Sequence, residues 1–122
     1  MSCVFCRIVA RKSEAEVLYQ DEKITAFRDI RPQAPTHILI VPNEHVSTAK
    51  ELLDKDSSVL IRMFSEAHAL AEEAGIAGKG YRLVINTGPD AGQMVDHLHL
   101  HLLGGKSMQP DGMALRWKHL MT

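Results

Sequence analysis

The chain has 122 residues, 45% hydrophobic and 24% charged, with 14 Lys and Arg against 15 Asp and Glu for a formal net charge of −1. That is the size and composition of one globular domain, expected over residues 1–122, which can bury a core without help from disulfides or metal. The charge balance removes the main argument for a general nucleic-acid or anionic-membrane binder but leaves room for a local phosphate site, and no apolar run approaches the roughly 18 residues of a membrane span.

The first sixteen residues lack a basic segment followed by a long apolar one, so no secretory signal is expected. Residues 4–10 read as a short helix with Val4, Phe5, Ile8 and Val9 on one side. Residues 17–19 and 23–27 flank Gln20-Asp21-Glu22 as a strand–turn–strand unit. Two prolines make residues 31–35 a loop. Residues 37–41 form a β-branched and apolar run, read as a buried central strand. Thr48 and Glu51 have capping-box spacing, and Asp56 or Ser57 is placed to cap the main helix.

In that helix Val59, Leu60, Met63, Phe64, Ala67, Leu70, Ala71 and Ala74 recur at helical spacing, and Gly75 and Gly78 end it. Residues 81–86 are a strand, 88–92 a glycine-rich loop, and 95–103 a further strand stopped by Gly104-Gly105. Residues 106–122 read as an irregular C-terminal tail, anchored by Trp117 and Leu120. Strands follow one another without obligatory helices, which predicts an α+β fold with a mostly antiparallel sheet.

The informative segment is His97-Leu98-His99-Leu100-His101-Leu102-Leu103-Gly104-Gly105. On a strand, alternation puts His97, His99 and His101 on one face, roughly 6–7 Å apart, and the leucines on the core face. A row of imidazoles is costly to desolvate unless each nitrogen has a partner. Three readings stand at this point: hydrogen-bonded structural histidines, a catalytic metal site, and nucleophilic or acid–base chemistry by a group that titrates near neutrality. Nearby Asn86 and the glycines at 88, 92, 104 and 105 offer an amide donor and close backbone approach, which suits an oxyanion. Cys3-x-x-Cys6 is a weak metal signal alone. It reads equally as two small buried residues, or, with seven histidines in the chain, as reduced thiols of a cytoplasmic protein.

The run from Gly92 to Gly105 resembles the signature of the histidine triad family in its nucleotide-binding branch. Phe27-Arg-Asp-Ile-Arg-Pro-Gln-Ala-Pro-Thr-His37-Ile-Leu-Ile-Val-Pro42 and Gly80-Tyr-Arg-Leu-Val-Ile-Asn86 agree with it, so the resemblance covers the chain from Cys3 to Gly105. It implies a HIT-like fold with a five-stranded antiparallel sheet, one long and one short helix, and a homodimer whose sheets join into ten strands across the long helices. It implies hydrolysis of purine nucleoside phosphoramidates or related adenylates to nucleoside monophosphate and amine. Carried over by motif position, His99 is the nucleophile, His101 contacts the phosphate, and His37 and His97 support the nucleophile. Asn86, Gly92, Gln93 and Met94 line the phosphate pocket. Asp29 binds the ribose hydroxyls and Ile30 adjoins the base, with Ile24 and Phe27 as further apolar walls.

The resemblance also implies structural Zn²⁺ on Cys3, Cys6, His45 and His97, a Cys₂His₂ set of suitable softness and count. No organic cofactor, nucleic acid or membrane partner is implied. Two residues depart from the family pattern. Met94 stands where a serine is common, and a thioether cannot donate a hydrogen bond. Asp96 stands where an aromatic is common. The alternative functions are a nucleotide-binding interaction protein with little turnover and, more remotely, a zinc hydrolase using the triad as ligands.

Overall fold

The computed structural model describes residues 3–108. In chain order these form α1 (Val4–Val9), β1 (Val17–Gln20), β2 (Ile24–Arg28), β3 (Thr36–Pro42), α2 (Ala49–Glu73), β4 (Tyr81–Val84), a single 3-10 turn (Pro89–Ala91) and β5 (Leu100–Gly104). The strands make one antiparallel sheet in the order β1-β2-β3-β5-β4. The predicted α+β fold with a five-stranded antiparallel sheet is therefore the observed one.

Strand β3 is buried along its whole length, as its continuous apolar run requires of a central strand. The sheet has two unlike faces. On one, Ile24, Ala26, Ile38, Ile40, Leu98, Leu100 and Leu102 pack against Val59, Met63, Ala67, Leu70 and Ala71 of α2. On the other, Phe27, Leu39 and Val41 pack against Phe5 and Ile8 of α1. Ile24 thus lies in the α2-side core, across the sheet from Phe27, and is no wall for a base.

Both helix-start signals operate. Thr48 Oγ1 accepts from Glu51 N at 3.2 Å, and Glu51 Oε1 reaches back to Ser47 N at 2.7 Å. At Asp56 the backbone leaves helical geometry (φ −165°, ψ 89°), and its Oδ1 accepts from Ser58 N at 3.1 Å. Asp56 therefore restarts the helix after a kink, capping the longer segment as its residue type predicts. Arg62 fastens this segment to the β1–β2 turn, donating to Tyr19 OH at 2.6 Å and Asp21 Oδ2 at 3.0 Å.

The two faces of α2 differ, and one strand boundary shifts. The helix stripe of Met63, Ala67, Leu70 and Ala71 is buried against the chain's own sheet, while Leu53, Ile61 and Phe64 are the large apolar residues that α2 leaves exposed. Strand β5 begins at Leu100 rather than at Val95. Its ladder with β3 ends at Ile40 opposite Leu100, and Leu98 N then bonds Val46 O at 2.7 Å in the loop beyond. His97 and His99 precede the strand, yet Leu98, Leu100 and Leu102 still share the α2-side core, so the alternation of faces survives. Of the expected tail, Met108 packs beside Ala34, Val84 and Leu103; Trp117 and Leu120 lie outside the described residues.

Candidate active site and metal cluster

His37, His97, His99 and His101 are all buried, at 2%, 0%, 2% and 0% exposure. Their environment fixes which nitrogen of each ring carries the proton. Gln33 N donates to His37 Nδ1 at 3.0 Å, so His37 in its neutral form carries its hydrogen on Nε2. That Nε2 lies 2.9 Å from His101 Nδ1 and 3.4 Å from Asp29 Oδ2. The shorter contact is the hydrogen bond, and the Asp29 oxygen is left without one. His101 Nδ1 is then the acceptor, which leaves the His101 hydrogen on Nε2, buried and without a partner. A parallel argument holds for the other two rings. His99 Nδ1–H donates to His97 O at 2.8 Å, placing the lone pair on His99 Nε2. His97 Nε2–H donates to Pro42 O at 2.9 Å, placing its lone pair on Nδ1.

Burial holds the rings neutral. It lowers the His99 and His97 pKa values against the opposing pull of their carbonyl hydrogen bonds, and lowers that of His37 against the charge of Asp29. His101, buried beside two other imidazoles, is pushed down to about 3. A neutral imidazole with its lone pair on Nε2 is a nucleophile.

Three buried polar atoms among the described residues lack a partner: Asp29 Oδ2, Asn86 Nδ2 and His101 Nε2. Each leaves a hydrogen-bonding capacity that is expensive to bury unmet. Asp29 is held by an Asx turn, its Oδ1 accepting from Arg31 N at 2.8 Å, and its own N donating to His37 O at 3.0 Å. Asn86 is two residues past Val84, whose cross-strand partner is His101. Two donors and one carboxylate acceptor thus remain for a ligand.

The glycine loop is arranged differently from expectation. Gly92 N bonds Pro89 O at 3.0 Å and Gln93 N bonds Gly88 O at 3.1 Å, so both N–H groups turn into the loop. The Gln93 amide is also occupied: Oε1 accepts from Gly88 N at 2.8 Å, and Nε2 donates to Ser47 O at 2.7 Å and Val95 O at 3.1 Å. Gln93 fixes the loop against the start of α2. Met94 is 69% exposed and Ile30 83%, whereas Phe27 is buried at 3%.

A separate cluster joins Cys3, Cys6, His45 and His97, whose ligand atoms all lie within 4.8 Å of one another. His97 Nδ1 is 3.4 Å from Cys3 Sγ and 3.6 Å from Cys6 Sγ, and Cys6 Sγ is 3.3 Å from His45 Nδ1. Tetrahedral zinc with ordinary Zn–S and Zn–N bonds sets its sulfur and nitrogen ligands about 3.6 Å apart. The lone pair of His97 also faces the sulfurs, so the set fits such an ion. Asp29, His37 and His101 lie equally close together but do not fit one. Metal on His37 Nε2 would require the proton on Nδ1, where the Gln33 N–H already points.

Sequence reasoning placed both histidine sets but missed Phe5 as part of the site. Its ring stands edge-on to His99 at 5.1 Å and to His97 at 5.9 Å between centroids. Its position between the two cysteines was the available signal.

Known proteins agree with this geometry. The HIT domain profile matches residues 10–108. The purine nucleoside phosphoramidase of Escherichia coli strain K12 is 47% identical over 107 residues, covering 88% of this chain and 90% of that protein. The crystal structure of a HIT family hydrolase from Legionella pneumophila Philadelphia 1 superposes with a TM-score of 0.85 at 47% identity, covering 89% of this chain and 97% of that one. A zinc-bound histidine triad family protein from Mycobacterium smegmatis superposes at 0.75 with 29% identity, over 90% of this chain and 79% of that one. With the histidine motif, the fold and these relatives in agreement, the chain belongs to the histidine triad (HIT) family.

Proposed function

We propose that this protein hydrolyses the P–N bond of purine nucleoside phosphoramidates of the adenosine monophosphoramidate type, and by the same attack at phosphorus the P–O anhydride bond of aminoacyl-adenylates, where a carboxylate leaves instead of an amine. The reading rests first on the three unpartnered atoms beside a neutral, oriented His99. Asp29 Oδ2 is an acceptor suited to ribose hydroxyls. His101 Nε2–H and Asn86 Nδ2 are donors suited to phosphoryl oxygens. The 47% identity to a phosphoramidase supplies the substrate class.

In the mechanism, His99 Nε2 attacks the α-phosphorus in line. A P–N bond to His99 forms as the bond to the substrate nitrogen breaks, and the amine leaves with the bonding pair and takes up a proton. The positive charge on the His99 ring is stabilised through Nδ1–H by the His97 carbonyl. Water then attacks the same phosphorus, releases nucleoside 5′-monophosphate and gives up a proton, and His99 returns neutral. His37 acts through His101, fixing its Nε2–H as a donor to the phosphoryl group. With Gly92 and Gln93 turned inward, their role is to shape the loop that presents Met94.

Zinc on Cys3, Cys6, His45 and His97 would supply a structural cross-link between α1 and the segment before β5. We take residues 1–122 as one HIT domain in a cytoplasmic homodimer. In support of the dimer, β4 is an edge strand and α2 leaves Leu53, Ile61 and Phe64 exposed. Among the described residues no helix is long and apolar enough to cross a membrane.

The test is product analysis on a panel of aminoacyl and alkylamine nucleoside phosphoramidates. Stoichiometric nucleoside monophosphate and amine are expected. Firm nucleotide binding without turnover on any member would favour the interaction-protein alternative, to which Met94 in the loop lends its one argument.

A further inference from the structure

On the α2 side of the sheet an open cavity of about 350 Å³ lies between the ends of β2 and β3 and the last turn of α2. Arg28 and Ile38 are partners across the β2–β3 ladder, and Thr36 shares the face of Ile38. The residues lining the cavity therefore alternate along the chain with Asp29 and His37, which face the other way. Its floor is apolar, made by Leu18, Ile38, Leu70 and Ala74. Its polar groups are few and of opposite sign. Arg28 engages Glu16 through Nε alone, at 3.1 Å, which leaves its two terminal nitrogens without a protein partner. Glu73 has no hydrogen-bond or ion-pair partner among the described residues, and neither has the hydroxyl of Thr36, a residue only 9% exposed. Glu72 and Glu73 also close a helix whose last turn holds no basic residue. The carbonyl end of a helix carries partial negative charge, so two carboxylates there are unfavourable and a cation is favoured. Apolar walls with a few convergent polar groups, at this volume, are the ordinary make-up of a small-molecule site.

We propose that this cavity binds an aliphatic α-amino acid as its zwitterion. The ammonium group meets Glu73 and the Thr36 hydroxyl, the carboxylate meets the Arg28 guanidinium, and the side chain lies on Leu18, Ile38 and Leu70. An amine alone would leave Arg28 unanswered and a carboxylic acid alone would leave Glu73 unanswered, so the charge pattern selects a ligand bearing both. The site is separate from the chemistry at His99 and does not depend on it. No lining residue belongs to β4 or to the exposed set of Leu53, Ile61 and Phe64, so the surfaces taken above for the homodimer do not include it.

The experiment is an amide NMR titration of the full chain with L-leucine, in the presence of saturating adenosine monophosphate to occupy the nucleotide site. Leucine should shift the amides of Arg28, Thr36, Leu70 and Glu73 with a Kd of about a millimolar, without displacing the nucleotide. Leucinol, which lacks the carboxylate, and isocaproate, which lacks the ammonium group, should each bind about tenfold more weakly or worse. Glu73→Gln and Arg28→Met should weaken leucine by a similar factor. Glu72→Gln makes the same charge change in the same turn but outside the cavity, and should bind leucine as wild type does. No shift at the four residues up to about 20 mM leucine would overturn the proposal. So would leucinol or isocaproate binding as tightly as leucine, which would mark a simple cation or anion site. Equal weakening by Glu72→Gln would also overturn it, as a general charge effect, and so would binding that nucleotide abolishes, which would place leucine in the nucleotide site.

Discussion

His37 Nε2 lies 2.9 Å from His101 Nδ1, and the Gln33 N–H on the far side of the His37 ring decides the direction of that bond. A backbone amide four residues away thereby sets the proton position on a histidine two strands along the sheet order from β2. His37→Ala should free His101 to adopt the other tautomer and lower kcat by about ten- to a hundredfold with KM little changed, since a donor to the developing charge is lost. Steady-state kinetics on the purified variant check this, and His37→Gln, which keeps a side-chain donor, should lose less.

Buried neutral histidines make stability fall in acid. His101 has a folded-state value of about 3, and those of His37, His97 and His99 are also lowered. Below the unfolded value of about 6.5 the unfolded chain binds protons that the folded chain does not, so the unfolding free energy drops as pH falls. For His101 this continues from about 6.5 down to about 3, at up to about 1.4 kcal/mol per pH unit. Denaturant titrations between those limits should show the decline, and His101→Asn should flatten it.

Asp29 Oδ2 is the unpartnered acceptor of the site. Removing a charged hydrogen-bond partner costs about 1.5–3 kcal/mol, so Asp29→Ala should weaken binding of adenosine monophosphate by about ten- to a hundredfold. It should leave binding of the 2′,3′-dideoxy analogue almost unchanged. Calorimetric titration of both ligands separates a ribose contact from a general loss of structure.

Removal of metal should loosen the N-terminus. The purified protein should carry about one zinc per chain, and Cys3→Ser or Cys6→Ser should lose it. An ion at a hundred times its Kd stabilises the fold by about 2.7 kcal/mol. A chelator should therefore lower Tm by about 10 °C in wild type and have little effect on either variant. Equal Tm with and without chelator would mean that the cluster serves as hydrogen-bonded thiols and imidazoles.

Gly105 adopts φ +93°, and a Cβ there would meet Pro35 Cβ at 3.0 Å. Gly105→Ala should destabilise the fold by about 1–3 kcal/mol, measured by equilibrium unfolding, because both the left-handed backbone and the close approach resist a side chain.

These residues also show why parts of the molecule were legible in sequence and others were not. Thr48 and Asp56 act through their own neighbours, so their caps follow from local spacing. Leu98, Leu100 and Leu102 declare their face by alternation, which extended backbone keeps whether or not a ladder partner is present. The start of β5 does depend on a partner: its ladder with β3 begins at Leu100 opposite Ile40 although β3 itself runs on to Pro42, which the pattern of residues 95–99 cannot show. The pairing of His37 with His101 depends on register: His37 stands opposite Leu103, so His101 is its diagonal neighbour. Phe5 reads as one more apolar helix residue until the sheet brings His99 to its edge.

The most direct measurement is rapid quenching of the reaction with an adenosine phosphoramidate, followed by proteolysis under mildly alkaline conditions and mass-spectrometric mapping of the modified residue. The account predicts a single adenylyl group on His99, absent from His99→Ala. An adduct on His97, His101 or a cysteine, or full turnover by His99→Ala, would contradict it.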